Sequence, residues 1–130
     1  MALELTLLAP MLLAVVALVL AYGRYAQVSG LLDTAARDSA RAATQSRSSA
    51  EARERVERIV RTTLADAAQS CADSAAYTME ADGFLPGGYV TVTVRCRVGY
   101  GDLGVPFAGG ERTLERSFTS PLDPYRGVRP

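Results

Sequence analysis

Few residues in this chain have the type and spacing to do chemistry. Cys71 and Cys96 stand 25 positions apart. That is no C-x-x-C spacing, so zinc or thioredoxin chemistry is not expected. An even pair of cysteines reads as one disulfide, which implies an oxidising compartment; two buried thiols are the alternative. Asp82 and Asp102 offer a carboxylate pair, yet acids beside glycines are usually turn formers. The chain has no His, the commonest general base and metal ligand. It has no G-x-S-x-G nucleophile motif either. We therefore expect no enzyme, no catalytic residue, no metal and no cofactor. The residue that stands out is Glu4, a carboxylate near the tip of the apolar run that opens the chain.

Charge narrows the class further. The 14 basic and 14 acidic residues cancel, which gives no electrostatic case for nucleic acid as a partner. All the basic residues are Arg.

The elements that must position these residues fall into two textures. From Leu5 to Tyr22 the chain has 18 residues without a charge. As a helix this run is about 27 Å long, close to the hydrocarbon thickness of a bilayer and longer than a signal-peptide core. Pro10 interrupts it, and a kink or locally melted turn is expected near Thr6 to Pro10. Arg24 and Tyr25 suit an interface. Val28, Leu31, Leu32, Ala35, Ala36, Ser39, Ala40 and Ala43 then recur at spacings of three and four, a narrow stripe of mostly small residues. One helix is thus predicted from about Leu3 to Thr44, with Gly30 as its softest point.

A second helix is predicted after "TQSRSSAEARE". Ser48 or Ser49 would cap it, with Glu51 in its first turn. Ala52, Val56, Ile59, Val60, Leu64 and Ala67 form its apolar stripe, and its end is expected near Gln69. Glu51–Arg55 and Glu54–Arg58 are spaced for i,i+4 ion pairs. Beyond Cys71, "YVTVTVRCRVGY" alternates strictly and is the strongest strand signal. "SAAYTME" and "RTLERSFTS" are weaker strands, with turns at "ADGFLPGG" and "GDLGVPFAGG". The prediction is α+β: a long N-terminal transmembrane or assembly helix, a second amphipathic helix, and a three-stranded antiparallel sheet packed on that second helix. We divide the chain into the helix, 1–44, and a head, 45–130, with a mobile C-terminal tail. A core of about 60 residues rarely supplies more than ~3–5 kcal/mol, and a disulfide from Cys71 to Cys96 would add ~3 kcal/mol by loop-closure entropy.

Glu4 admits several readings. It can stay hydrated at the membrane surface. It can offset the helix dipole from the first turn, worth ~0.3–1 kcal/mol. Or it can pair with the N-terminal amine of a neighbouring chain, registering the subunits against each other.

"ALELTLLAPMLLAVVALVLAYGR" followed by "AARDSARAAT" resembles the TadE-like family of tight-adherence pilus proteins, which are similar to type IV pilins at the N-terminus. "GGYVTVTVRCRV" and "RSFTSPLDPYR" extend the likeness. By this resemblance Glu4 corresponds to the pilin glutamate and Pro10 to the helix proline. Ala35, Ala36, Arg37, Ala40 and Arg41 correspond to an alanine–arginine element further along. The resemblance implies a pilin-like subunit of a tight-adherence pilus that assembles through its N-terminal helix. Its partners would be other pilin-like subunits, the membrane before assembly, and the prepilin peptidase and assembly machinery. The alternative is a single-pass accessory protein that never enters a filament. Arg24 beside the span favours a cytoplasmic head by the positive-inside rule; the cysteines, and a basic leader if one is removed, favour the outside. We expect a single-pass membrane protein with an extracytoplasmic head, extracellular once assembled.

Overall fold

The computed structural model describes residues 1–104 and 109–125. Part of the predicted turn "GDLGVPFAGG" and the end of the predicted mobile tail lie outside those residues.

Helix α1 runs unbroken from Ala2 to Gln45, about 66 Å at 1.5 Å per residue. It continues through Pro10 and Gly30, so no melted turn forms near Thr6. Pro10 still lacks the N–H that would bind the Thr6 carbonyl. The Thr6 hydroxyl donates backward to the Ala2 carbonyl at 2.7 Å. The two halves of α1 differ sharply in surroundings. Every residue from Met1 to Leu20 is exposed, whereas Val28, Leu32, Ala35, Ala36, Ser39, Ala40 and Ala43 are buried.

Helix α2 spans Ser49–Leu64. Ser48 caps it, its hydroxyl accepting the Glu51 N–H at 3.2 Å. Glu51 reaches back to accept the Arg47 N–H at 3.0 Å, a variant of the reciprocal capping box. The expected Glu51–Arg55 and Glu54–Arg58 pairs form at 2.7 and 3.0 Å, on the solvent side. Such pairs are worth only a few tenths of a kcal/mol each. Ala52, Val56, Val60 and Leu64 are buried. The helix ends at Leu64, before the expected Gln69, and a six-residue helix, α3 (Gln69–Ser74), follows. Cys71 therefore sits on a helix and not at the start of the sheet.

Strands β1 (Ala76–Ala81), β2 (Tyr89–Gly99) and β3 (Glu111–Pro121) form an antiparallel sheet in the order β1-β2-β3. The alternation of β2 translates directly: Val90, Val92, Val94, Cys96 and Val98 face inward and are buried. Thr91, Thr93, Arg95 and Arg97 face outward, where Thr91 and Thr93 bond to Thr119 and Ser117 of β3. β1 is shorter than β2 and pairs only with Val90–Arg95. Beyond it, α3 takes over the same flank. Ser74 Oγ accepts the Arg97 N–H at 2.8 Å and Ser70 Oγ accepts the Gly99 N–H at 3.1 Å. Cys71 is bonded to Cys96. Two hydroxyls and a disulfide thus replace a missing stretch of strand.

The sheet does not pack chiefly on α2, as the sequence had suggested. It lies mainly on the packed half of α1 through β3 and β2, while α2 lies along another side of α1 and only grazes β1. The small side chains of the α1 stripe explain this. Alanines and Ser39 allow a second helix and a sheet both to approach one helix closely. Among the described residues all buried apolar side chains belong to one core, to which α1 contributes from Val28 to Ala43. The packed half of α1 thus shares the core of the residues that follow it, with Ala21 and Tyr25 packed against its edge.

Candidate functional site

The site is the free half of α1 and the foot of the head from which it emerges. Glu4 lies in the first turn of α1, where Met1 provides no side-chain cap. The first helical N–H groups lack intrahelical partners, so a carboxylate there meets the positive end of the dipole. From Leu5 the helix presents Leu7, Leu8, Met11, Leu12, Leu13, Val15, Val16, Leu18, Val19 and Leu20 to its surroundings, all of them exposed. It is long and apolar enough to cross a membrane.

Arg24 stands at the foot of the head, its Nη1 3.5 Å from the Asp102 carbonyl oxygen. From the next position of α1, Tyr25 lies under the Arg112 guanidinium, 5.8 Å from the ring centroid. Tyr25 stacks on Tyr22 with centroids 6.5 Å apart. One turn up, Arg116 Nη2 donates to Ser29 Oγ at 2.6 Å. Higher still, Arg37 pairs with Asp33 at 3.2 Å and lies over the Phe118 ring. These contacts set the register of α1 against β3.

The structure separates the residues of the alanine–arginine element. Ala35, Ala36 and Ala40 are fully buried in the chain's own head, whereas Arg37 and Arg41 are exposed. The close approach these alanines permit is made to α2 and the sheet within the subunit. The free half of α1 takes no part in that packing, every residue from Met1 to Leu20 being exposed.

Asp82 and Asp102 are not brought together. They flank opposite ends of β2, some 35 Å apart at ~3.3 Å per residue. Each is explained locally. Asp82 follows β1 in the turn, its N–H donating to the Tyr89 carbonyl. Asp102 accepts the Ser70 N–H at the start of α3. Those hydrogen bonds hold the Asp102 carboxyl below its ordinary value. Glu51 is lowered in the same way, first by the Arg47 N–H and then by the Arg55 and Arg47 charges. Among the described residues no group of three His, Cys, Asp or Glu side chains converges as a metal site.

Sequence reasoning missed Arg112 and Arg116. They occupy inward-facing positions of β3, opposite Val98 and Val94, where a period-two pattern calls for apolar side chains. Arginine at an inward position of an edge strand is itself a signal, because inward charges guard sheet edges.

No curated protein and no solved structure matches the chain. The model described as TadE-like protein matches residues 1–41; over the free half of α1 and most of its packed half, the chain is a match to the TadE-like family.

Proposed function

We propose that the chain is a pilin-like structural subunit of a tight-adherence pilus, held in the membrane by Leu5–Tyr22 and assembled through the same helix. The TadE-like match over residues 1–41 supports involvement with such a pilus. The observation that carries the subunit reading is the asymmetry of α1. One half is sealed into the head, while every residue from Met1 to Leu20 is exposed along a charge-poor, apolar surface. A surface of that kind needs lipid or other apolar helices around it. Before assembly lipid fills the role; in a filament, the equivalent helices of neighbouring subunits do. Glu4 then meets a neighbour's N-terminal amine, and Pro10 frees the Thr6 carbonyl for a partner outside the helix. Arg24, Arg37 and Arg41 lie on the outer surface where further subunits arrive. Ala35, Ala36 and Ala40 act indirectly, by fixing the head on the helix. The head is extracytoplasmic, consistent with the Cys71–Cys96 bond. Nothing in this reading calls for a cofactor or catalysis; a prepilin peptidase and the pilus machinery act on the chain.

The test is an intact mass, without reductant, on filaments sheared from the cells that make the chain. Recovery there as an abundant species, two hydrogens lighter than the reduced mass, supports the subunit reading. Retention in the membrane fraction with none in the filaments would replace it with an anchored accessory protein.

A further inference from the structure

The free half of α1 ends at Tyr22 and the first buried residue of the head is Val28. Between them lie six steps of helix, about 9 Å. That is close to the depth of one headgroup layer, roughly 5–8 Å from the difference between total and hydrocarbon thickness. Into this interval the fold brings Tyr22, Arg24 and Tyr25 from α1 and Arg112 from the start of β3. Among the described residues neither Arg24 nor Arg112 has a carboxylate within ion-pair distance. Arg24 reaches only a backbone carbonyl at 3.5 Å, at the limit of a hydrogen bond. Arg112 lies over the face of a ring, and among the described residues its N–H donors meet no hydrogen-bond acceptor. The acids at this end do not neutralise them. Asp102 turns its carboxylate to the Ser70 N–H, and Asp66 lines the groove beside Arg24 without pairing to it.

We infer that Arg24 and Arg112 form a clasp about α1 in which each binds a headgroup phosphate of the surrounding membrane phospholipid, and that the pair fixes the depth of the head on the bilayer. Guanidinium donors match phosphate oxygens in charge and geometry. Tyrosine bodies buried at headgroup level with their hydroxyls outward suit the same layer. The clasp also offsets the cost of an arginine flanking the span on the head side, whichever leaflet the head faces. This inference rests on the free half of α1 lying in the membrane.

The test uses the full chain. Flotation with vesicles of phosphatidylcholine and phosphatidylglycerol is read first. Native mass spectrometry from phosphatidylglycerol-doped micelles then counts the lipid retained by wild type, Arg24→Gln, Arg112→Gln, the double variant, and Arg58→Gln as a charge control. Wild type and control should retain lipid, each single variant less, and the double variant about tenfold less, as for loss of charge-assisted bonds. On the wild-type chain, phosphatidylglycerol should slow phenylglyoxal modification of Arg24 and Arg112. This readout does not depend on the variants folding. Flotation without any difference between wild type and double variant, or without protection, overturns the clasp alone. Displacement of the lipid by equimolar inorganic phosphate overturns the lipid as its ligand. Failure to float overturns the membrane reading and the clasp with it.

Discussion

Ser74 Oγ lies 2.8 Å from the Arg97 nitrogen and accepts its N–H. The same hydroxyl is 2.6 Å from the Ser70 carbonyl oxygen of α3. One side chain thereby ties α3 to the part of β2 that β1 does not reach. Helix and strand share a hydrogen bond that a longer β1 would otherwise supply. Ser74→Ala should destabilise the head by about 0.5–1.5 kcal/mol, the net worth of one such bond. Amide exchange should accelerate at Arg97 and Gly99 more than at Val92. Unchanged protection at Arg97 would show that water replaces the hydroxyl at no cost.

The packed half of α1 belongs to the core, so truncation should reveal where the folding unit begins. A fragment starting at Gly23 retains Val28, Leu32 and the alanine stripe. It should unfold cooperatively with its disulfide intact. A fragment starting at Gln45 exposes the inner faces of α2 and the sheet and should show no cooperative thermal transition. Equal melting behaviour of the two would contradict the core described above.

Ser39 is fully buried, and among the described residues its hydroxyl has no hydrogen-bond partner. A buried unpaired hydroxyl costs about 1–3 kcal/mol, and alanine is the better helix former. Ser39→Ala should therefore raise stability, by about 1 kcal/mol. Denaturant unfolding of the solubilised chain measures it, and a loss of stability would mean that the hydroxyl has a partner in solution.

Asp102 gives the head one acid-sensitive joint. Its carboxyl is held below the usual value of 3.8 by the Ser70 hydrogen bonds. A depressed folded-state value adds stability above the unfolded value, and this is lost as pH falls through the folded one. The melting temperature should fall as pH drops below about 4, and Asp102→Asn should flatten that limb while lowering the plateau at neutral pH. An acid limb of unchanged shape in Asp102→Asn would assign the sensitivity elsewhere.

Glu4→Ala tests the amine pairing. The variant should insert in membranes and fold as wild type, since Glu4 touches nothing in the head, while filament yield falls about tenfold or more for loss of a desolvated charge pair. Wild-type filament yield from this variant would remove Glu4 from assembly.

Much of the architecture follows from local rules that operate within a few residues. The apolar run, the three-and-four spacing from Val28 to Ala43, the Ser48 cap and the strict alternation of "YVTVTVRCRV" each specify an element and its buried face without reference to distant parts. The Cys71–Cys96 pairing was legible because the chain contains only these two cysteines. The TadE-like likeness was legible because it resides in a continuous stretch, residues 1–41.

Partners distant in sequence were decided by the tertiary structure alone. The alanine stripe declares a close contact but not with what, since Ala35 and Ala40 suit another subunit as well as α2 and the sheet. Only packing shows that the contact is made within the chain. α3 escaped notice because six residues are too few for helical periodicity, and its serines matter only where β1 stops. Arg112 reads as an ordinary strand arginine until β3 lays it over Tyr25. Periodicity encodes which side of an element is buried, because side-chain direction repeats along the backbone. It does not encode the partner, because that depends on how all the elements fill one volume at once.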